Sequence, residues 1–249
     1  MDDLQYIYGI RPVLESVQGG MDIQKIYLSR KVKGELITEI KKLAREREIG
    51  VQEVPEEVFR KFRGKIHQGV VALISPVIYQ DIGKYLPQLF EKGIIPLVVV
   101  LDRITDVRNF GAIIRTAECM GAHAVVVPSK ETAQINADAV KASAGALFRI
   151  PVCRASDLFI ATRILKDSGL QIVSCSEKAG KTFYDVDFGL PTAILFGSEE
   201  SGLLPALVKI SDHHVKIPMA GHIASLNVSV AAGIVLFEAM RQREAMGEK

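Results

Sequence analysis

Three stretches of this sequence gather side chains able to hold a ligand and act on it. Residues 102–111 read Asp-Arg-Ile-Thr-Asp-Val-Arg-Asn-Phe-Gly, and Arg115 follows four residues after Gly111. On a helix that spacing keeps Arg115 near the helix start, at the same end as Asn109. Asn109 alone could be no more than a helix cap. Arg115, set among Ile113, Ile114 and Ala117, is expected to be semi-buried, and a guanidinium there needs an anionic partner. Residues 197–202, Gly-Ser-Glu-Glu-Ser-Gly, put two adjacent carboxylates, Glu199 and Glu200, between glycines that allow a ligand close to the backbone. A plain strand-to-helix turn would explain the glycines but not the paired carboxylates. Residues 217–229 run Ile-Pro-Met-Ala-Gly-His-Ile-Ala-Ser-Leu-Asn-Val-Ser. This apolar, glycine-containing approach suits an adenine-sized pocket with backbone hydrogen bonds. Ser225 or Asn227 could equally cap the helix that follows.

Other chemistries fail on spacing. Ala179-Gly180-Lys181-Thr182 looks like the end of a phosphate loop, but that motif requires glycine where this chain has Cys175. The dinucleotide fingerprint of three spaced glycines does not occur. His213-His214 lacks a third ligand at recognisable spacing, so no metal is expected. His67, His123 and His222 stand alone. The three cysteines, Cys119, Cys153 and Cys175, are far apart and odd in number, which points to reduced thiols rather than a disulfide framework.

The elements that must carry these stretches change character along the chain. Residues 1–75 read as a small α/β unit. Helices are expected at Ile10–Val17, Gly34–Glu48 and Glu56–Phe62, and strands at Lys25–Ser29, Gly50–Val54 and Gly69–Ile74, closed by Pro76. Residues 76–95 read as a linker with a helix at Ile82–Glu91. From residue 96 to 249, apolar runs alternate with amphipathic segments. Strands are expected at Leu97–Leu101, Ala124–Val127, Ile150–Cys153, Gln171–Cys175, Ala193–Phe196 and His214–Ile217. Helices are expected at Ala112–Met120, Asn136–Ser143, Asp157–Asp167, Pro205–Ile210 and Leu226–Arg243. Continuous Val/Ile/Leu strands separated by helices imply a parallel sheet covered on both faces, with ligands beyond the carboxyl ends of its strands.

The 249 residues hold 48% hydrophobic and 24% charged residues, a composition able to bury a full core. With 31 basic and 29 acidic residues the chain is no polycation. Its excess lies entirely in residues 1–75, with 13 basic against 11 acidic, leaving 18 of each in the remainder. The basic residues cluster at Arg30–Lys33, Lys41–Arg47 and Arg60–Lys65, dense enough to meet phosphates or, more blandly, to solvate helix faces. No apolar run approaches the roughly 18–20 residues that span a bilayer. The acidic start, Met1-Asp2-Asp3, lacks a signal peptide pattern, so a cytoplasmic protein is expected.

Taken together, Asn109-x-Gly111-x-x-x-Arg115-Thr116, Phe196-Gly197-Ser198-Glu199-x-x-Gly202, and Ile217-Pro218-Met219 with Ser225-Leu226-Asn227-Val228-Ser229 resemble, in order and spacing, the three motifs of the SPOUT methyltransferases of the TrmH/RlmB type. The likeness covers residues 96–243. Tyr8-Gly9-Ile10-x-Pro12 and His67-Gln68-Gly69-Val70 are similar to the opening and closing signatures of the family's small L30e-like RNA-binding domain. That second likeness favours members acting on a guanosine of 23S rRNA.

The resemblance implies an α/β fold with a knotted (trefoil) parallel-sheet methyltransferase domain, preceded by the L30e-like domain. It implies S-adenosylmethionine as cofactor, held by Gly197, Ile217 and Leu226. It places Asn109, Arg115, Glu199, Ser225 and Asn227 at the catalytic pocket, methylating a ribose 2'-hydroxyl in a homodimer. Alignment of the reactants can supply about 7–11 kcal/mol and a general base about 3–5 kcal/mol, so positioning should dominate. The family's arginine has been proposed to deprotonate the hydroxyl. A guanidinium, with a pKa above about 12, is a poor base at neutral pH. Arg115 is therefore expected to grip the target phosphate, with Asn109 and Ser225 orienting groups and Glu199 fixing Arg115 or Asn227. A tRNA 2'-O-methyltransferase is the nearest rival reading, and a noncatalytic RNA-binding or ribosome-assembly protein the alternative class.

Overall fold

A computed structural model describes residues 6–47, 49–223, 225–245 and 247. The chain divides into two units, Met1–Ile78 and Tyr79–Lys249.

In the first unit, β1 (Tyr6–Tyr8), α1 (Ile10–Gln18), β2 (Ile23–Ser29), α2 (Glu35–Glu46), β3 (Gly50–Val54), a 3-10 segment (Glu56–Phe62) and β4 (Val70–Ile74) build a four-stranded sheet of order β1-β4-β2-β3. Strand β4 runs antiparallel to both neighbours, whereas β3 runs parallel to β2. Alternation sorts the faces: Ile26 and Leu28 bury against Val13 and Val17 of α1 and Ile37 and Ile40 of α2, leaving Tyr27 for the opposite face with Phe59 and Phe62. The two terminal signatures meet in one joint. Gly9, at φ +99°, donates from its backbone to Val70 O at 3.0 Å, and Ile10 N donates to Gln68 Oε1 at 3.2 Å. The short β1 is absent from the sequence-based expectation.

The second unit begins earlier than expected. Residues 79–95, read from sequence as part of a linker, are integral to it. Strand β5 (Tyr79–Gln80) pairs with the later strand Val152–Ala155, and α3 (Ile82–Glu91) buries Ile82, Leu86 and Leu89 in the core of this unit. Pro96 and Gly93 suggested a connector because they punctuate the chain, yet the apolar face of α3 needs a partner and finds it here. There follow β6 (Leu97–Asp102), α4 (Val107–Cys119), β7 (Ala124–Pro128), α5 (Ala137–Ala142), β8 (Val152–Ala155), α6 (Leu158–Asp167), β9 (Gln171–Cys175), β10 (Lys181–Thr182), β11 (Thr192–Gly197), α7 (Pro205–Ile210), β12 (His213–Lys216) and α8 (Val228–Ala245).

These strands form an eight-stranded sheet of order β10-β12-β9-β11-β6-β7-β8-β5, parallel at every pairing. Strands β6, β7 and β11 are nearly all apolar because both faces are buried, as their sequences demand. From β6 the chain lays β7 and β8 to one side, then returns β9, β11 and β12 on the other. The order reverses between β6 and β11, whose ends Asp102 and Gly197 are paired. A crevice at such a switch point is where open α/β sheets bind ligands.

Candidate active site

Helix α4 starts five residues before the expected Ala112, and this early start decides what Asn109 does. Asp106, not Asn109, is the cap: its carboxylate accepts from Arg108 N at 2.9 Å and Asn109 N at 2.8 Å. The Asn109 side chain is thereby released to reach across the site. Gly111, which made the segment look like a loop, sits inside the helix because α5 crosses there. A Cβ on it would lie 2.4 Å from Ala142 Cβ.

Side chains from all three motif loops converge on one carboxylate. Glu199 Oε1 accepts from Asn227 Nδ2 at 2.6 Å, Asn109 Nδ2 at 3.1 Å and the Val228 backbone N–H at 3.3 Å. Asn227 Nδ2 also donates to Asn109 Oδ1 at 3.0 Å. The side-chain oxygen of Asn227, Oδ1, accepts from the backbone and hydroxyl of Ser229, so this residue caps α8 and joins the cluster at once. The capping role read from sequence is thus met, and the same side chain joins Glu199 and Asn109.

Beside the cluster lies a cavity of about 400 Å³ beyond the ends of β9, β11 and β12, within the size range of sites for small organic ligands. Apolar walls come from Phe183, Phe196, Ile217, Leu226, Ala231 and Val235. Glu177, Glu199 and Glu200 give it three carboxylates against two lysines, Lys178 and Lys216. An apolar slot with surplus negative charge fits an adenosine joined to a sulfonium cation. Cys175, also in the wall, is half-buried, and desolvation pushes its thiol up to about 12, which keeps it protonated.

Six of the eight residues singled out from sequence line this cavity: Gly197, Glu199, Ser225 and Asn227, with Ile217 and Leu226. Asn109 is tied to it through Glu199. Ser225 is exposed, with no hydrogen bond among the described residues. Arg115 departs from expectation. It is exposed on α4 rather than semi-buried, makes no ion pair among the described residues, and is not held by Glu199. The apolar neighbours that suggested burial, Ile113, Ile114 and Ala117, occupy the opposite, core-facing side.

Gly197 also has a different reason for being glycine. A Cβ there would come within 2.3 Å of the Gly202 carbonyl carbon and the Leu203 nitrogen. The loop folds back on its own strand end, with a bridge between Ser198 and Gly202.

A clamp that sequence reasoning passed over fixes that loop. Asp102, 1% exposed, receives both Nε and an Nη of Arg103 at 2.9 and 3.1 Å and accepts from Leu204 N at 2.7 Å. Arg103, at φ +56°, donates on to Gly202 O at 2.9 Å. The pairing raises the arginine's pKa through its hydrogen bond to Asp102. The available signal was an acidic residue ending an otherwise wholly apolar strand.

A cavity at the switch point of a parallel sheet, closed by three loops and accompanied by a separate small α/β unit, defines a ligand-binding α/β enzyme with an accessory domain. Residues 96–237 match the SpoU rRNA Methylase family, and residues 6–80 match the RNA 2'-O ribose methyltransferase substrate binding family. The chain belongs to the SpoU/TrmH family of the SPOUT class. It is 35% identical over 243 residues to a Staphylococcus saprophyticus protein assigned to the TrmH family of tRNA/rRNA methyltransferases, covering 98% of each chain. Among solved structures, it resembles the AdoMet-bound rRNA methyltransferase of Sinorhizobium meliloti, with 28% identity and a TM-score of 0.59 over 95% of this chain and 87% of that one. It also resembles the A. aeolicus TrmH/SpoU tRNA modifying enzyme, with 34% identity and a TM-score of 0.57 over 66% of this chain and 84% of that one.

Proposed function

We propose that this S-adenosylmethionine-dependent RNA methyltransferase methylates the ribose 2'-hydroxyl of a guanosine in 23S rRNA. The observation that carries the reading is the convergence of Asn109, Glu199 and Asn227, from three loops, beside a cavity fitted to the cofactor. Gly197, Ile217 and Leu226 would hold S-adenosylmethionine, which supplies an already activated methyl group when bound. The remaining task is to align a hydroxyl and receive its proton. Glu199 Oε1 is saturated by three donors, which leaves Oε2 to accept from the substrate hydroxyl. Arg115, exposed and without a carboxylate partner among the described residues, is available to the target phosphate as a bidentate fork. Ser225, on the cavity rim, orients the ribose.

The threaded, knotted path expected for such enzymes is supported by β11, which inserts between β6 and β9 after both precede it in the chain. A homodimer is supported by α8, whose sheet-facing side buries Val228, Ala232, Val235, Leu236 and Ala239 while Val230, Ile234 and Phe237 stay 50%, 36% and 53% exposed. Residues 6–78, with their basic clusters, take the role of RNA selection, because a pocket gripping one ribose and phosphate reads almost no sequence. Mapping of 2'-O-methyl groups in rRNA and tRNA from cells with and without the protein tests the assignment. Loss of one guanosine methyl from 23S rRNA is expected, and loss from tRNA alone would transfer the assignment to tRNA.

A further inference from the structure

The face of the first sheet turned away from α1 and α2 carries an ordered set of aromatic and cationic side chains. The strand register fixes its rows. Tyr8 of β1, Val71 of β4 and Tyr27 of β2 lie side by side, and Tyr6, Leu73 and Lys25 form the next row. The 3-10 segment covers one part of this face with Phe62, edge-on to Tyr6 at 5.0 Å and to Tyr8 at 5.7 Å. Its neighbour Lys61 reaches over the rest, with its ammonium 4.9 Å from the Tyr27 ring centre and 5.9 Å from that of Tyr6. Lys25 stands 5.7 Å from Tyr27.

A simple lid on a small core would bury these rings and pair these charges. Neither happens: the three tyrosines are partly exposed, and Lys25 and Lys61 have no carboxylate partner among the described residues. The Tyr6 and Tyr27 hydroxyls likewise have no hydrogen-bond partner there. Tyrosine rings such as Tyr6 and Tyr8, 6.3 Å apart, with ammonium groups over them that no described carboxylate neutralises, match what unpaired RNA offers, namely a π-face per nucleotide and a phosphate between bases. Duplex RNA, with its bases stacked inside, offers only the phosphates.

We propose that the sheet face bearing Tyr6, Tyr8 and Tyr27 beneath Lys25 and Lys61 is a stacking platform for unpaired RNA bases, with both ammonium groups taking the intervening phosphates. This rests on the reading of residues 6–78 as the RNA-selecting unit, and it places the contact away from the basic cluster of α2.

The test uses the full chain and a single-stranded RNA of about ten nucleotides, a length of the order that stacking grooves hold, beside its duplex. Tyr6→Leu and Tyr27→Leu are each expected to weaken single-strand binding about 10-fold, with duplex binding little changed. Lys61→Met, which keeps the packing, should weaken binding and lower the salt dependence by about one ion. The chain has no tryptophan, so its emission reports tyrosine directly. Single-stranded RNA should quench it, and Tyr27→Leu should remove part of the quench. Unchanged affinity in Lys61→Met and both tyrosine variants, with loss in Lys42→Glu/Arg45→Glu on α2, would overturn the platform while keeping the RNA-selecting role. Unchanged binding and methylation in all four would overturn both.

Discussion

Glu199 is the residue on which three separate loops depend, and its two oxygens have different work. Replacing it with Gln keeps an oxygen for Asn109 and Asn227 but removes the free acceptor, so Glu199→Gln should lower methyl transfer about 10²-fold, within the range of a lost general base. Cofactor affinity, read by calorimetry, should change little. Full activity in that variant would remove the carboxylate from proton transfer. Arg115 is the residue proposed to hold the target phosphate. Arg115→Ala should lose about 10²-fold in transfer, as when a charge-stabilising donor is deleted. Arg115→Lys should rescue poorly because a point charge cannot reproduce the fork. A lysine variant with wild-type kinetics would sink the bidentate contact. At this scale the sequence was readable wherever a side chain is tied to its own loop. It failed for Arg115, because Ile113, Ile114 and Ala117 form the buried face of α4 and Arg115 lies off that face.

At the scale of elements, the tightest constraints are glycines and strand ends. Gly197→Val, a natural choice for blocking the cofactor, would instead drive the loop off Gly202 and Leu203. Ala231→Leu, on the first turn of α8, fills the cavity without that collision. It should abolish S-adenosylmethionine binding by calorimetry with an unchanged melting temperature, and normal binding would displace the cofactor from this cavity. His123 gives a second handle. Its Nδ1 accepts from Leu97 N at 3.0 Å, and burial, reinforced by Arg243, lowers its pKa. The unfolded chain therefore takes up the proton first, near the ordinary value of 6.5, and stability should fall as pH drops below about that point. Denaturant titrations at pH 7.5 and 5.5 should show a smaller loss for His123→Asn, and an equal loss would exclude His123 as the cause. Long apolar strands such as β6 and amphipathic helices such as α3 were legible, α3 to the residue. The two-residue β5 and β10 were not, since pairings that short are made by neighbours distant in sequence rather than by local pattern.

At the scale of the whole molecule, the proposed RNA selection and assembly are testable apart from the pocket. The boundary at Ile78 and Tyr79 follows from the pairing of β5 with β8, a contact invisible in the punctuation of residues 76–95. Removing residues 1–78 should leave cofactor binding intact while greatly weakening rRNA methylation, whereas an undiminished rate on the same nucleotide would return the basic clusters to mere solvation. Sedimentation should show a species of twice 27.3 kDa that Phe237→Glu converts to monomer. A wild-type monomer at micromolar concentration would refute assembly through α8. The most direct measurement supplies the purified chain with S-adenosylmethionine labelled in its methyl group and a 23S rRNA transcript, then digests the RNA to nucleosides. Label in 2'-O-methylguanosine, lost in Arg115→Ala, is the expected result, and label on a base or on no nucleoside would contradict a ribose methyltransferase acting at this site.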